Sequence, residues 1–142
     1  MSVLTYKVTP TITAGAYSAN DVIGGRLRFQ GMRKGTIDSI SVWDNAAQSV
    51  NYELVLFESI PTNITDNATF DIADADGPKI FYQQALPTTE RQAYTDNCRT
   101  TVFGIDQDIV TVNDDVWGFL YTTGTPTYAA TSDITVVIRV RV

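Results

Sequence analysis

The chain has no histidine and a single cysteine, Cys98, in 142 residues. Each absence removes a class of chemistry. Without an imidazole no Ser-His-Asp or Cys-His relay can be assembled, and no histidine-ligated metal can be held. One cysteine permits neither an intrachain disulfide nor a thiolate zinc site. Basic side chains are outnumbered, 10 against 16 acidic ones, for a net charge of −6. A nucleic-acid partner, whose phosphates call for a basic surface, is therefore not expected. No stretch approaches the ~20 apolar residues of a membrane span, so no membrane partner is expected either. Met1 to Pro10 carry one lysine and no apolar run of signal-peptide length, so export by that route is not expected. The unbranched helix formers are also scarce, with Leu, Glu and Lys together supplying 12 residues.

Val, Ile and Thr are abundant instead, at 46 of the 142 residues. Branching at Cβ restricts χ1 and suits a pleated, half-buried surface, so the balance predicts an all-β protein. The length fits one domain, 1–142, because domains cluster near roughly 100–150 residues. No linker, low-complexity block or internal repeat divides it.

Short strand-like runs alternate with turn residues along the chain. Val3 to Ile12 reads as a strand, with Pro10 marking an edge position or a strand end. In Arg26 to Gln30 the period of two puts Leu27 and Phe29 on one face and both arginines on the other. Gly31-Met32-Arg33-Lys34-Gly35 then has the residues of a hairpin connection. Ile37 to Trp43 and Val50 to Glu58 are the next strands, the latter turning continuously apolar as it passes into a buried environment. Pro61 to Pro78 is loop chemistry, with a short helical turn expected near Phe70 to Ala75 and Phe70 tucked beneath it. Lys79 to Ala85, Thr100 to Phe103, Ile109 to Val112 and Val116 to Thr122 are further strands, with Asn113-Asp114-Asp115 as a tight turn. The cleanest alternation closes the chain: Ile134, Val136, Ile138, Val140 and Val142 against Thr135, Val137, Arg139 and Arg141. A strand so patterned must pair inside a sheet. About eight to ten short strands predict a two-sheet antiparallel β-sandwich or a barrel.

Few residues offer chemistry. Asp71-Ile72-Ala73-Asp74-Ala75-Asp76-Gly77 has the look of a calcium loop. The EF-hand register fails, since Ile72 and Gln83 would fall at the first and last ligand positions. Asp66, Asp74 and Asp76 are left as candidate metal ligands, against a reading in which they cap turns. A glycosidase pair needs two carboxylates about 5–9.5 Å apart in a cleft, and most acids here sit in turn contexts. Cys98 has a cation beside it and no base, which points to a buried thiol. No catalytic residue and no cofactor is expected. Arg26, Arg28, Arg33 and Lys34 gather on the predicted hairpin, whereas Arg99 to Arg139 encloses five aspartates and no base, so opposite-signed ends are expected. Trp117, Phe119 and Tyr121 share one face of a strand whose other face is also apolar. That strand is either in the core or covered by another subunit.

Three stretches resemble small virion proteins of tailed bacteriophages: Ala14-Gly15-Ala16-Tyr17-Ser18-Ala19-Asn20-Asp21-Val22-Ile23-Gly24-Gly25, Ile40-Ser41-Val42-Trp43-Asp44 to Leu54-Val55-Leu56-Phe57-Glu58, and Asp66 through Asp76 to Ile80. The resemblance spans about Ala14 to Ile80. It implies a capsid decoration (cement) protein, a β-sandwich of jelly-roll type on the outside of the virion, assembled in the host cytoplasm. The implied partners are the major capsid protein and further copies of the chain, as a dimer or trimer. Candidate interface residues are Arg26, Arg28, Arg33, Lys34, Arg139 and Arg141. From another class, a carbohydrate-binding β-sandwich of a phage tail or fibre is the alternative, with exposed aromatics and calcium in the Asp66–Asp76 loop.

Overall fold

The alternation that ends the sequence becomes the strand against which the larger sheet is organised. In the computed structural model, which describes residues 1–142, nine strands form. They are β1 (Val3–Val8), β2 (Val22–Phe29), β3 (Thr36–Asp44), β4 (Tyr52–Phe57), β5 (Ile80–Leu86), β6 (Arg91–Ala93), β7 (Cys98–Asp108), β8 (Val116–Thr122) and β9 (Ile134–Arg141). Five strands pair in the order β1-β9-β3-β7-β6 and four in the order β2-β8-β4-β5, all antiparallel. The two sheets close on a shared core as a β-sandwich. β9 lies between β1 and β3, as its uninterrupted pattern requires. β1 is an edge strand that stops two residues before Pro10.

The pairing is nested. The first strand pairs with the last, the second with the eighth, the third with the seventh and the fourth with the fifth. Between the sheets sit Leu27 and Phe29 of β2, Ile37, Ile40 and Val42 of β3, Leu54 and Leu56 of β4, Val116 and Leu120 of β8, and Ile134, Val136, Ile138 and Val140 of β9. Each such side chain contributes about 1.5–3 kcal/mol of burial free energy.

A second, smaller core lies on the outside of the four-stranded sheet. Val22, Val55, Phe57 and Phe119 are buried there beneath Ile64, Phe70 and Ile72 of the segment joining β4 to β5. Phe70 stacks on Tyr121 with centroids 4.4 Å apart and meets Phe119 edge-on. The doubly apolar strand Val116–Thr122 is thus covered by the chain's own loop. The same cover explains the unbroken apolar run of β4.

Some local expectations fail, for a common reason. Gly31 and Gly35 do take positive φ, +74° and +115°, but they do not make a hairpin. β2 belongs to one sheet and β3 to the other, so the connection crosses the sandwich. Ile109–Val112 is not a strand, and Asn113–Asp115 leads from β7 in one sheet to β8 in the other. The helical turn falls later than expected, as a 3₁₀ turn over Asp74–Lys79. Turn residues fix local dihedrals, whereas the choice of partner strand is made by which faces must be buried together.

Gly35 binds this crossing to β9. A Cβ placed there would lie 2.5 Å from the Arg141 carbonyl oxygen and 2.6 Å from Val140 Cγ1, whereas at Gly31 it would meet nothing within 4 Å. Gly35→Ala is expected to cost about 3 kcal/mol or more in urea unfolding. Gly31→Ala should cost only about 1–2 kcal/mol, the backbone penalty alone. Equal losses would contradict the close approach to β9.

Candidate functional site

Aspartate is short enough to turn its carboxylate back onto nearby backbone, and the chain has 13 of them against three glutamates. Six close loops in this way. Asp21 accepts from the Ser18 N–H at 2.8 Å, Asp44 from those of Ala46 and Gln48 at 2.7 and 2.8 Å, and Asp133 from those of Ala129 and Ala130 at 2.9 and 3.0 Å. Asp66, Asp76 and Asp115 reach farther along the chain, accepting from Gly24 at 2.7 Å, Thr62 at 2.8 Å and Gly31 at 2.8 Å.

The three candidate metal ligands are placed by this scheme. Asp66 also accepts from the Tyr17 hydroxyl at 2.5 Å and the Thr13 hydroxyl at 2.6 Å. It thereby ties the β1–β2 loop to the loop covering the four-stranded sheet. Burial, with the neighbouring Asp66 carboxylate, pushes the Tyr17 phenol well above its ordinary range. Asp76 is buried, pairs with Lys79 at 2.8 Å, and is held down to about 2 by that ammonium and the Thr62 N–H. Asp74 is exposed in the 3₁₀ turn. No three His, Cys, Asp or Glu side chains converge on a point where a cation would sit.

A second buried network adjoins the Asp66 one through Tyr17. The hydroxyls of Tyr52 and Tyr128 bond each other at 2.7 Å, and Tyr17 meets Tyr128 edge-on. Cys98 is buried beside Asp44, and burial raises both its thiol and the Asp44 carboxyl.

The six candidate interface residues do not form one patch. Arg26 and Arg28 flank Trp117 on the outside of the four-stranded sheet, their guanidinium carbons 5.4 and 5.6 Å from its ring centroid. Arg26 also donates to the Pro61 carbonyl, and Arg28 pairs with Asp115 at 2.8 Å. Arg141 is held by Asp38 and Asp106. Arg33 and Lys34 are exposed in the β2–β3 crossing and form no ion pair. Arg139 projects from the outer face of the five-stranded sheet. The expected opposite-signed ends are absent, because Asp115 and Asp106 are partners of the very arginines from which the sequence separates them.

Two surfaces stand out. The first is the end of the sandwich carrying the β2–β3 crossing, where Thr36 pairs with Arg141 and Asp108, and Val3 with Arg141. Leu4 and Val142 are exposed there beside Arg33 and Lys34, and Val110 and Val112 are exposed in the β7–β8 connection at the same end, Val112 at 65%. The second is the outer face of the five-stranded sheet, which no loop covers. Its central strand presents Ser39 and Ser41, small side chains between taller neighbours. A depression results, lined by Lys7, Ser41, Trp43, Tyr94, Arg99, Thr135, Val137 and Arg139. The outward positions of β3 and β9 were legible from their alternation. The contribution of Arg99 and Tyr94 was not, because β6 and the start of β7 lie in a stretch that reads as loop.

No family model, no curated protein and no solved structure matches the chain.

Asp66→Ala, which removes three hydrogen bonds to a charged acceptor, should lower stability by about 2–4 kcal/mol. Adding calcium or a chelator to the wild-type chain should leave its melting temperature unchanged, and a chelator-sensitive melt would restore the calcium reading. Asp76 has a folded pKa below its unfolded value of 3.8, so the stability it lends is full above that value. It is lost as pH falls toward about 2. Acid titration of the wild type and of Asp76→Asn should therefore show a stability gap that narrows over that window.

Proposed function

We propose that the protein is a non-enzymatic virion structural protein of a tailed bacteriophage, decorating and bracing the outer surface of the capsid. The observation that carries this reading is one end of the sandwich where exposed Leu4 and Val142 lie beside the unpaired cations of Arg33 and Lys34, with Val110 and Val112 exposed in the β7–β8 connection at the same end. Apolar contact there supplies affinity, and the cations supply orientation toward an acidic shell surface of the major capsid protein. The nested strand order agrees with a jelly roll, an architecture used by viral capsid and lectin domains. The resemblance over Ala14 to Ile80 points the same way.

A cement protein acts by mass action, since binding only the assembled lattice adds its interface free energy against disassembly. Rigid loops serve that purpose, and the aspartate locks provide them. Docking through one end leaves the edges of both sheets free for contacts between copies in a dimer or trimer.

The test uses particles of the phage that encodes the chain. Mass spectrometry and antibody labelling should find the protein on the outside of intact heads. Particles stripped of it should rupture at lower temperature and be rescued by adding it back. Arg33→Ser with Lys34→Ser should weaken rebinding about tenfold and flatten its salt dependence, while the melting of the isolated protein stays unchanged. Absence from purified particles would overturn the reading.

A further inference from the structure

The depression on the open face of the five-stranded sheet is a different surface from the docking end, and its chemistry is specific. Cross-strand register sets its shape. Thr135, Trp43 and Arg99 form one row across β9, β3 and β7; Lys7, Val137, Ser41 and Thr101 form the next across β1, β9, β3 and β7; Arg139, Ser39 and Phe103 form the third. The small hydroxyl side chains of Ser41 and Thr135 line the depression, Ser41 being held from beside by Thr101 at 2.8 Å.

Aromatic rings make one wall. Trp43 and Tyr94 stack with centroids 5.8 Å apart, and the indole N–H is held by Asn45 at 2.7 Å, so the wall is fixed before any ligand arrives. Lys7, Arg99 and Arg139 stand around the rim, in a protein whose net charge is −6. None of the three forms an ion pair, no carboxylate lines the depression, and the Arg99 Nε is shielded from solvent with no hydrogen-bond partner.

Three cations around one depression without a counter-ion call for an anionic group. The aromatic wall calls for an adjoining flat, weakly apolar surface, which the C–H face of a sugar ring offers. A volume of about 290 Å³ falls at the lower limit of roughly 300–1,000 Å³ for small-molecule sites, enough for one ring. An extended peptide is disfavoured, because this part of the sheet is interior and its backbone groups are already paired in the ladder. We propose that the depression binds an acidic saccharide residue, its carboxylate held by Lys7, Arg99 and Arg139 and its ring laid against the Trp43–Tyr94 wall. Phe103, 69% exposed in the third row, extends the aromatic surface for the neighbouring sugar of an oligosaccharide.

The full chain would be titrated with trigalacturonate and with sialyllactose, alongside maltotriose and lactose as neutral counterparts, inorganic sulfate and a hexaglutamate peptide. Calorimetry gives affinity, and two-dimensional NMR follows the two indole N–H signals, assigned with Trp43→Phe. At least one acidic saccharide should bind with a Kd below about 1 mM, shifting the Trp43 signal and leaving that of Trp117 in place. Its neutral counterpart should bind at least about tenfold more weakly, as should the acidic sugar to Arg99→Gln with Arg139→Gln. Tyr94→Ala should cost several-fold in affinity while preserving the salt dependence; it lies in an exposed turn, so folding is not at stake. Three results would overturn the proposal: no Trp43 shift with either acidic saccharide, undiminished binding by the double variant, or sulfate or hexaglutamate binding as tightly as the sugars. None of these bears on the particle-binding test, whose substitutions lie at the other surface.

Discussion

A carboxylate accepting a backbone N–H from a loop is the interaction on which the rest of this molecule depends. The strands supply their own ladder hydrogen bonds, but the connections of a sandwich have no such partners and would leave amides exposed or unpaired at the sheet ends. Asp21, Asp44, Asp66, Asp76, Asp115 and Asp133 each supply an acceptor at such a point. Their partners show why the locks matter globally. Asp66 joins residues some 40 to 50 positions away, and Asp115 fixes both Gly31 and Arg28. Six of the sixteen acidic side chains thus serve the loops from within, while the net charge of −6 is unchanged by bonds to neutral amides.

The consequence is an asymmetric sandwich. Locked by Asp66 and Asp76, the long β4–β5 connection lies flat on the four-stranded sheet and buries Phe119 beneath Phe70. The five-stranded sheet receives no such cover. Its outward residues are a mixture of small hydroxyls, aromatics and cations rather than an apolar layer, so the exposure is stable in water. One sheet face is consumed by folding and the other is left available.

Much of the fold was legible because β2, β3, β8 and β9 each bury at least one face, and burial writes a period of two into the sequence. β3, β8 and β9 stand close to where their alternation puts them, and the lone Cys98 is the buried thiol its neighbours implied. What was not legible is pairing. Gly31 and Gly35 carry hairpin chemistry and obey it locally, yet they serve a crossing between sheets, because sheet membership depends on residues far along the chain. The same limit hid the open-face depression, whose walls come from β1, β3, β7 and β9 and from the turn bearing Tyr94. The acidic loop follows the turn-capping reading in part: Asp66 and Asp76 each accept from a distant amide, while Asp71 and Asp74 stand exposed.

The nested order of strands also governs how the molecule comes into being. β1, β2 and β3 find their partners only in β9, β8 and β7, all from the second half of the chain. Of the central pairs, β4 with β5 alone is close enough in sequence to form early, and even that closes a loop of more than twenty residues. A ribosome making this chain therefore releases three strands that must wait, unpaired and adhesive, until the residues from Cys98 onward have emerged. Such long-range pairing makes for slow folding and a vulnerable interval during synthesis.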